Sequence, residues 1–227
     1  MRNVHLSEFD LISDEIRKAI PKVVDGQTAI LNMKSEGSTN WRQMEWIGFW
    51  FEHFVQSQLK HTISATTGPT YGSTTFDLKR NFVWDLKSHP INVNSLILND
   101  VKAIESCIKD QGGLGFVILS GNVDYDDENM SFKKWHDQLK GGISAYEKER
   151  VGRKAPSRRR KTKFMPTKVD GIWFDSYSEI ELALSRGQMA YFQKGMRNSN
   201  GKPRPEKIMI KNASLIEDYL IGTKSFI

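Results

Sequence analysis

The alternation of apolar and polar residues divides the chain into short, distinct elements. Residues 6–22 place Phe9, Leu11, Ile12, Ile16 and Ile20 at helical spacing, and Pro21 ends the pattern. After the turn at Asp25-Gly26, TAILNMK alternates like a short strand. The turn-rich stretch 35–40 offers Ser or Asn as the cap of a long, very apolar helix over 41–60, whose Met44, Ile47, Phe51, Phe54 and Val55 form one broad face. Residues 64–75 contain Gly68-Pro69 and Gly72 and read as loop. FDLK and FVWDLKSH are strand-like runs separated by Arg80-Asn81, the pattern of a hairpin. A helix near 98–110 stops at Gln-Gly-Gly, and GFVILSG (115–121) is a glycine-bounded apolar run of the kind buried on both faces of a sheet.

The acidic loop 124–129 leads to a helix near 131–149 that Gly141-Gly142 should break or bend, since paired glycines are costly in a helix. The basic segment that follows reads as loop. Beyond it, DGIWFDSY, MAYFQ and KIMIK read as strands, SEIELALSR and ASLIEDYLIG as short helices, and NSNGKPRP as a turn. This order describes an α/β fold with a central mixed β-sheet flanked by helices, followed by a C-terminal α+β elaboration. With 227 residues, 38% of them hydrophobic, the chain suits one domain. The single Cys107 allows no internal disulfide, and no Cys/His cluster suggests structural zinc. No apolar run reaches the ~20 residues of a membrane span. These features lead us to expect a cytoplasmic protein in a reducing compartment, with no membrane partner.

Charge narrows the picture. The net charge is +6, yet Lys148 to Lys163 holds nine Lys/Arg against one acid, leaving the rest of the chain slightly acidic. One concentrated basic stretch on an acidic body suggests a localised polyanion contact, with a solvated loop as the alternative.

The hairpin carries the candidate chemistry. Asp77 begins its first strand and Asp85 lies on its second, with Lys87 two residues on and on the same face, while Phe82, Trp84 and Leu86 face the other way. Two carboxylates brought together repel unless a cation joins them, and Mg²⁺ prefers such oxygen ligands together with water and phosphate. A lysine beside them can orient water and offset charge developing on a phosphoryl group. These are the parts of a metal-dependent phosphodiesterase.

Asp77, x7, Asp85-x-Lys87, preceded by Gly48-x3-Glu52 on a helix, resembles the PD-(D/E)XK nuclease superfamily, which includes many type II restriction endonucleases. The match covers roughly residues 45–120. Phe76 stands where the family often has proline, and the second acid is Asp where Glu is commoner. The resemblance implies that Asp77, Asp85 and Glu52 hold Mg²⁺, with Mn²⁺ as a substitute, and that Lys87 positions the nucleophile. Glu45 and Glu52 are seven apart on nearly one helical face; Glu52 fits the Gly48 spacing better. His53 and His89 flank the site and read as surface or phosphate-contacting groups; Trp46, Trp50 and Trp84 read as core.

By the same resemblance the catalytic core spans about 41–121, and a DNA-contacting elaboration spans about 131–227 within one nuclease domain. Its candidate contacts are Lys133, Lys134, Lys140, Arg150, Arg153, Lys154, Arg158, Arg159, Arg160, Lys161 and Lys163, most of them expected on phosphates. The implied activity is site-specific hydrolysis of double-stranded DNA without a nucleotide cofactor, by a homodimer if the target is palindromic. A non-catalytic DNA-binding protein on the same scaffold, and a repair, junction or RNA nuclease, stay open as alternatives.

Overall fold

A strand whose two faces enter two different cores needs apolar residues on both, and the centre of this chain has that pattern. A computed structural model of the chain describes residues 2–155, 159–197, 201–211 and 217–226. Strand β5 (Val83–Pro90) lies parallel to β7 (Leu114–Tyr125), which pairs antiparallel with β8 (Lys161–Phe174). The sheet is completed by β4 (Leu78–Lys79) beside β5, and by β1 (Val24–Asp25) and β11 (Leu220–Ser225) along the far edge of β8. Parallel and antiparallel neighbours occur together, so the sheet is mixed.

One face of this sheet packs Trp84, Leu86, Val117, Leu119, Val169 and Trp173 against α1 (Arg2–Ala19), α2 (Gly26–Ser35) and α3 (Trp46–Phe54). The other packs Val83, Phe116, Ile118, Ile172 and Phe174 against α4 (Val101–Gln111) and α7 (Tyr177–Ser185). A smaller antiparallel sheet covers this second face, with β10 (Lys207–Ile210) between β6 (Leu96–Asp100) and β9 (Met189–Phe192). Close approach requires glycine at Gly115: a Cβ there would lie 2.2 Å from the ring of Trp84, its partner across the parallel pair. The remaining elements are the short hairpin β2 (Thr70–Tyr71) and β3 (Thr74–Thr75), and helices α5 (Ser131–Leu139) and α6 (Ala145–Gly152). Among the described residues, no helix is long and apolar enough to cross a membrane.

The mixed α/β architecture, the hairpin and the buried run 115–121 agree with expectation, and several local readings do not. TAILNMK is helix α2, because Ala29, Ile30 and Met33 are buried together while Leu31 faces solvent, and Asp25 caps the Thr28 amide at 2.9 Å. The long helix placed over 41–60 starts only at Trp46 and runs on through Leu59. A 3-10 turn at Thr39–Arg42 precedes α3, and a π turn at Val55–Leu59 follows it. The loop 64–75 contains β2 and β3. The helix placed at 98–110 starts at Val101, since Leu96 and Leu98 alternate into the second core as strand β6.

Gly141 and Gly142, with φ of 83° and 125°, separate α5 from α6, so the helix placed over 131–149 is two helices. The basic loop ends earlier than expected: Lys161 already pairs with Tyr125 as β8 begins. Of the final helix ASLIEDYLIG, residues 213–216 lie outside the described residues, and its end from Leu220 is strand β11.

Candidate active site

The pairing of β4 with β5 stops at Val83 and Trp84. Beyond that point β5 keeps β7 on one side, while its other edge has no strand among the described residues. Asp77 fills this gap: its carboxylate accepts the Leu86 amide at 2.7 Å and faces Gln56 Nε2 at 3.4 Å. Gln56 belongs to the π turn after α3, so the widened turn lies beside the cleft. Alternation then points Asp85 and Lys87 to one side of β5, where the lysine ammonium forms an ion pair with the Asp85 carboxylate. Lys87 Nζ also lies 3.3 Å from the Leu86 carbonyl, and Asn99 Nδ2 is 3.4 Å from both Asp85 oxygens.

Asp77, Asp85, Lys87 and Asn99 line one cleft of about 930 Å³, together with Glu52 from α3 and Lys207 from β10. Asp77 and Asp85 are buried, at 7% and 1% exposure. Burial is the first cause that pushes Glu52 up to about 7; Lys87 pulls it down and Asp85 pushes it further up. Asp77 is raised well above the usual carboxylate range by burial, then by Asp85 and Glu52. Burial works against the Lys87 charge, but the surrounding Asp85, Asp77 and Glu52 more than offset it, and its pKa is raised. Three carboxylates thus bear on the Lys87 ammonium, while Lys207 is held by Asp100 at 2.6 Å.

That donor set suits a hard divalent cation. Among the described residues no group of three or more Asp, Glu, His or Cys side chains is placed to hold a metal ion by itself. Mg²⁺ needs none, because it takes one or two carboxylates and completes its shell with water and a substrate phosphate.

Of the two helix glutamates, Glu52 faces Asp85 and Lys87, whereas Glu45 is exposed at the start of α3 and pairs with Lys161 Nζ at 2.5 Å. His53 is bound to Glu36 at 2.8 Å, away from the acids. His89 is buried in the cleft wall with Nε2 unpartnered; burial first, and Lys168 among other neighbours, lower its pKa. Trp46, Trp50 and Trp84 are buried in the core.

The basic residues do not form one free arm. Lys133 bridges Asp137 and Glu147 at 2.8 and 3.4 Å, Lys140 binds Asp137 at 2.7 Å, and Arg150 binds Glu147 at 3.2 Å. Arg159 donates to the Asp126 carbonyl at 2.6 and 3.1 Å. Arg160 is buried, and Lys161 is held by Glu45. Lys134, Arg153, Lys154 and Lys163 are exposed, with Arg153 near Glu149 and Lys163 near Asp124. Arg158 lies outside the described residues.

Three polar residues near the site were not anticipated from sequence. Asn99 and Gln56 contact the acids. Glu8 of α1 accepts from the amides of Asn81 and Phe82, the Asn81 side chain, Trp84 Nε1 and Arg80, at 2.7–3.5 Å, and so fixes the turn that leads into β5. No local pattern marks Glu8 as different from the other acids of α1.

No family model and no curated protein matches this chain. Among solved structures, the crystal structure of the restriction endonuclease BglI bound to its DNA recognition sequence is similar to it with a TM-score of 0.32 and 10% identity, over 100% of this chain and 99% of that one.

Proposed function

We propose that the chain is a Mg²⁺-dependent endonuclease that hydrolyses phosphodiester bonds in double-stranded DNA, in the manner of a type II restriction enzyme. The observation that supports this most strongly is the convergence of Asp77, Asp85 and Glu52 around the Lys87 ammonium in one open cleft. Asp77 and Asp85 would hold the ion, with Glu52 assisting directly or through water. When bound, the ion supplies positive charge against the phosphate and makes nearby water easier to deprotonate.

The chain's own groups do the rest. The Leu86 amide fixes the Asp77 carboxylate, and Asn99 orients Asp85. Lys87 has three N–H donors; with the acids engaged by a cation, its ammonium is free to orient the attacking water and to meet charge growing on the phosphoryl oxygens. Exposed Lys134, Arg153, Lys154 and Lys163 supply screening-sensitive attraction to the duplex. A palindromic target would be cut by two copies of the chain.

The test is a Mg²⁺ digest of a large duplex DNA, with an RNA arm, followed by sequencing of fragment ends. Ends at one short sequence support the reading. Cleavage of RNA alone, or DNA binding with no cleavage under any divalent ion, would overturn it.

A further inference from the structure

A second pocket, of about 460 Å³, adjoins the acid cleft and has the opposite charge. Its walls are Arg42–Met44, the glycine loop from Gly141 to Ser144, and the side chains of Lys140, Glu147, Arg150 and Arg160. Four cations, Arg42, Lys140, Arg150 and Arg160, line it against Glu147; Glu147 is engaged by Arg150 and Lys133, and the neighbouring Asp137 by Lys133 and Lys140. Arg42 is exposed at the rim, donating to the Lys140 carbonyl at 3.0 Å.

Arg160 is the unsatisfied member. Its side chain is only 7% exposed, and neither Nε nor Nη1 has an acceptor. A buried guanidinium without partners is strongly disfavoured unless something else supplies the acceptor. Burial pulls its pKa down against the opposing pull of Asp137, Glu147 and Glu45. The start of α6 adds to the field: Ser144, which caps the helix by accepting the Glu147 amide, lies in the pocket wall, so the positive end of the helix faces it.

Consecutive residues connect the two pockets. Met44 and Arg160 line the cationic one, while the next residues of each segment, Glu45 and Lys161, line the acid cleft and are joined by their ion pair. A polyanionic strand leaving the acid cleft across this bridge would bring a further phosphate to Arg160. We infer that the Arg160 pocket is a phosphate site that takes a backbone phosphate of the bound nucleic acid, away from the bond being cut. The nucleic-acid part of this assignment rests on the proposed function; the affinity for phosphate does not.

The test uses the full chain, without divalent ions, and two probes: inorganic phosphate and a short DNA duplex. Arg160→Met should leave the Tm in phosphate-free buffer unchanged or higher, because it removes an unpaired buried charge. Phosphate should raise the Tm of the wild type and not of this variant. Duplex affinity should fall about ten- to a hundredfold, the loss expected for charge-assisted hydrogen bonds, and the salt slope by about one. If Arg160→Met does not fold, Arg42→Met at the exposed rim should still weaken duplex binding.

A fall in Tm with no change in phosphate response or duplex affinity would make Arg160 a structural group and overturn the proposal. A phosphate response with unchanged duplex affinity would assign the pocket to free phosphate esters and overturn the nucleic-acid assignment. If cleavage by the wild type is found but duplex affinity ignores Arg160, the pocket fails and the nuclease reading stands. If duplex binding depends on Arg160 but no cleavage occurs, the reverse holds.

Discussion

The Asp77 carboxylate accepts the Leu86 amide at 2.7 Å, so the first acid of the cleft is fastened to the strand that carries the second acid and the lysine. An asparagine can keep that acceptor while losing the charge. Asp77→Asn should therefore fold as well as the wild type, with an equal or higher Tm, since burial and two neighbouring acids already disfavour its charge. DNA cleavage should fall by about 10²-fold or more. Circular dichroism melts and a plasmid assay check both; wild-type cleavage by Asp77→Asn would remove this acid from the mechanism.

Glu52 gives a pH dependence with a defined sign. Its pKa is raised in the folded chain to about 7 from the usual 4.5, so between these values the folded state holds a proton that the unfolded state has released. Stability without metal should fall as pH rises through that window and level off above it. Asp77 acts in the same direction. Glu52→Gln should flatten the decline, and Mg²⁺ should raise the Tm more at about pH 8 than at about pH 6, because ion and proton compete. Identical pH profiles for wild type and variant, measured by thermal melts, would contradict this.

Glu8 holds the site from outside it. Glu8→Ala strands the Trp84 indole N–H and the amides of Asn81 and Phe82. A destabilisation of about 3–5 kcal/mol is expected for a buried charged acceptor with this many donors. Cleavage should then track the folded fraction and recover on cooling. A stable but inactive Glu8→Ala would instead assign Glu8 a direct part in the reaction.

Lys133 and Lys134 are neighbours on α5 with different surroundings. Lys133 bridges Asp137 and Glu147, both nearly buried, while Lys134 faces solvent. Lys133→Ala should cost about 2–4 kcal/mol of stability, and Lys134→Ala less than about 0.5 kcal/mol. Urea melts of the two variants separate these outcomes. Equal effects would mean that the Lys133 bridge contributes nothing.

The central sheet was legible because burial on both faces leaves a continuous apolar run, as in 115–121. The pairing of Asp85 with Lys87 followed from strand alternation alone. Elsewhere local pattern and tertiary setting disagreed. TAILNMK alternates well enough to read as strand, yet Ala29, Ile30 and Met33 find one buried face only as a helix. Lys161 and Lys163 begin a strand that reads as loop, because of its first four residues only Phe164, opposite Val24, is buried. Gln56, Asn99 and Glu8 reach the site through contacts 14 or more residues away in sequence, where no local periodicity can place them. The basic residues were visible as charge, but the acids that hold Lys133, Lys140, Arg150 and Lys161 become visible only once the chain is folded.

The most direct test of the nuclease reading is conversion of supercoiled plasmid by the purified chain in Mg²⁺, with Lys87→Ala and Asp85→Asn alongside. The wild type should linearise the plasmid in Mg²⁺ and leave it intact in EDTA. Both variants should bind DNA without cutting it. Cleavage by either variant at the wild-type rate, or none by the wild type, would contradict a metal-dependent nuclease centred on Asp77, Asp85 and Lys87.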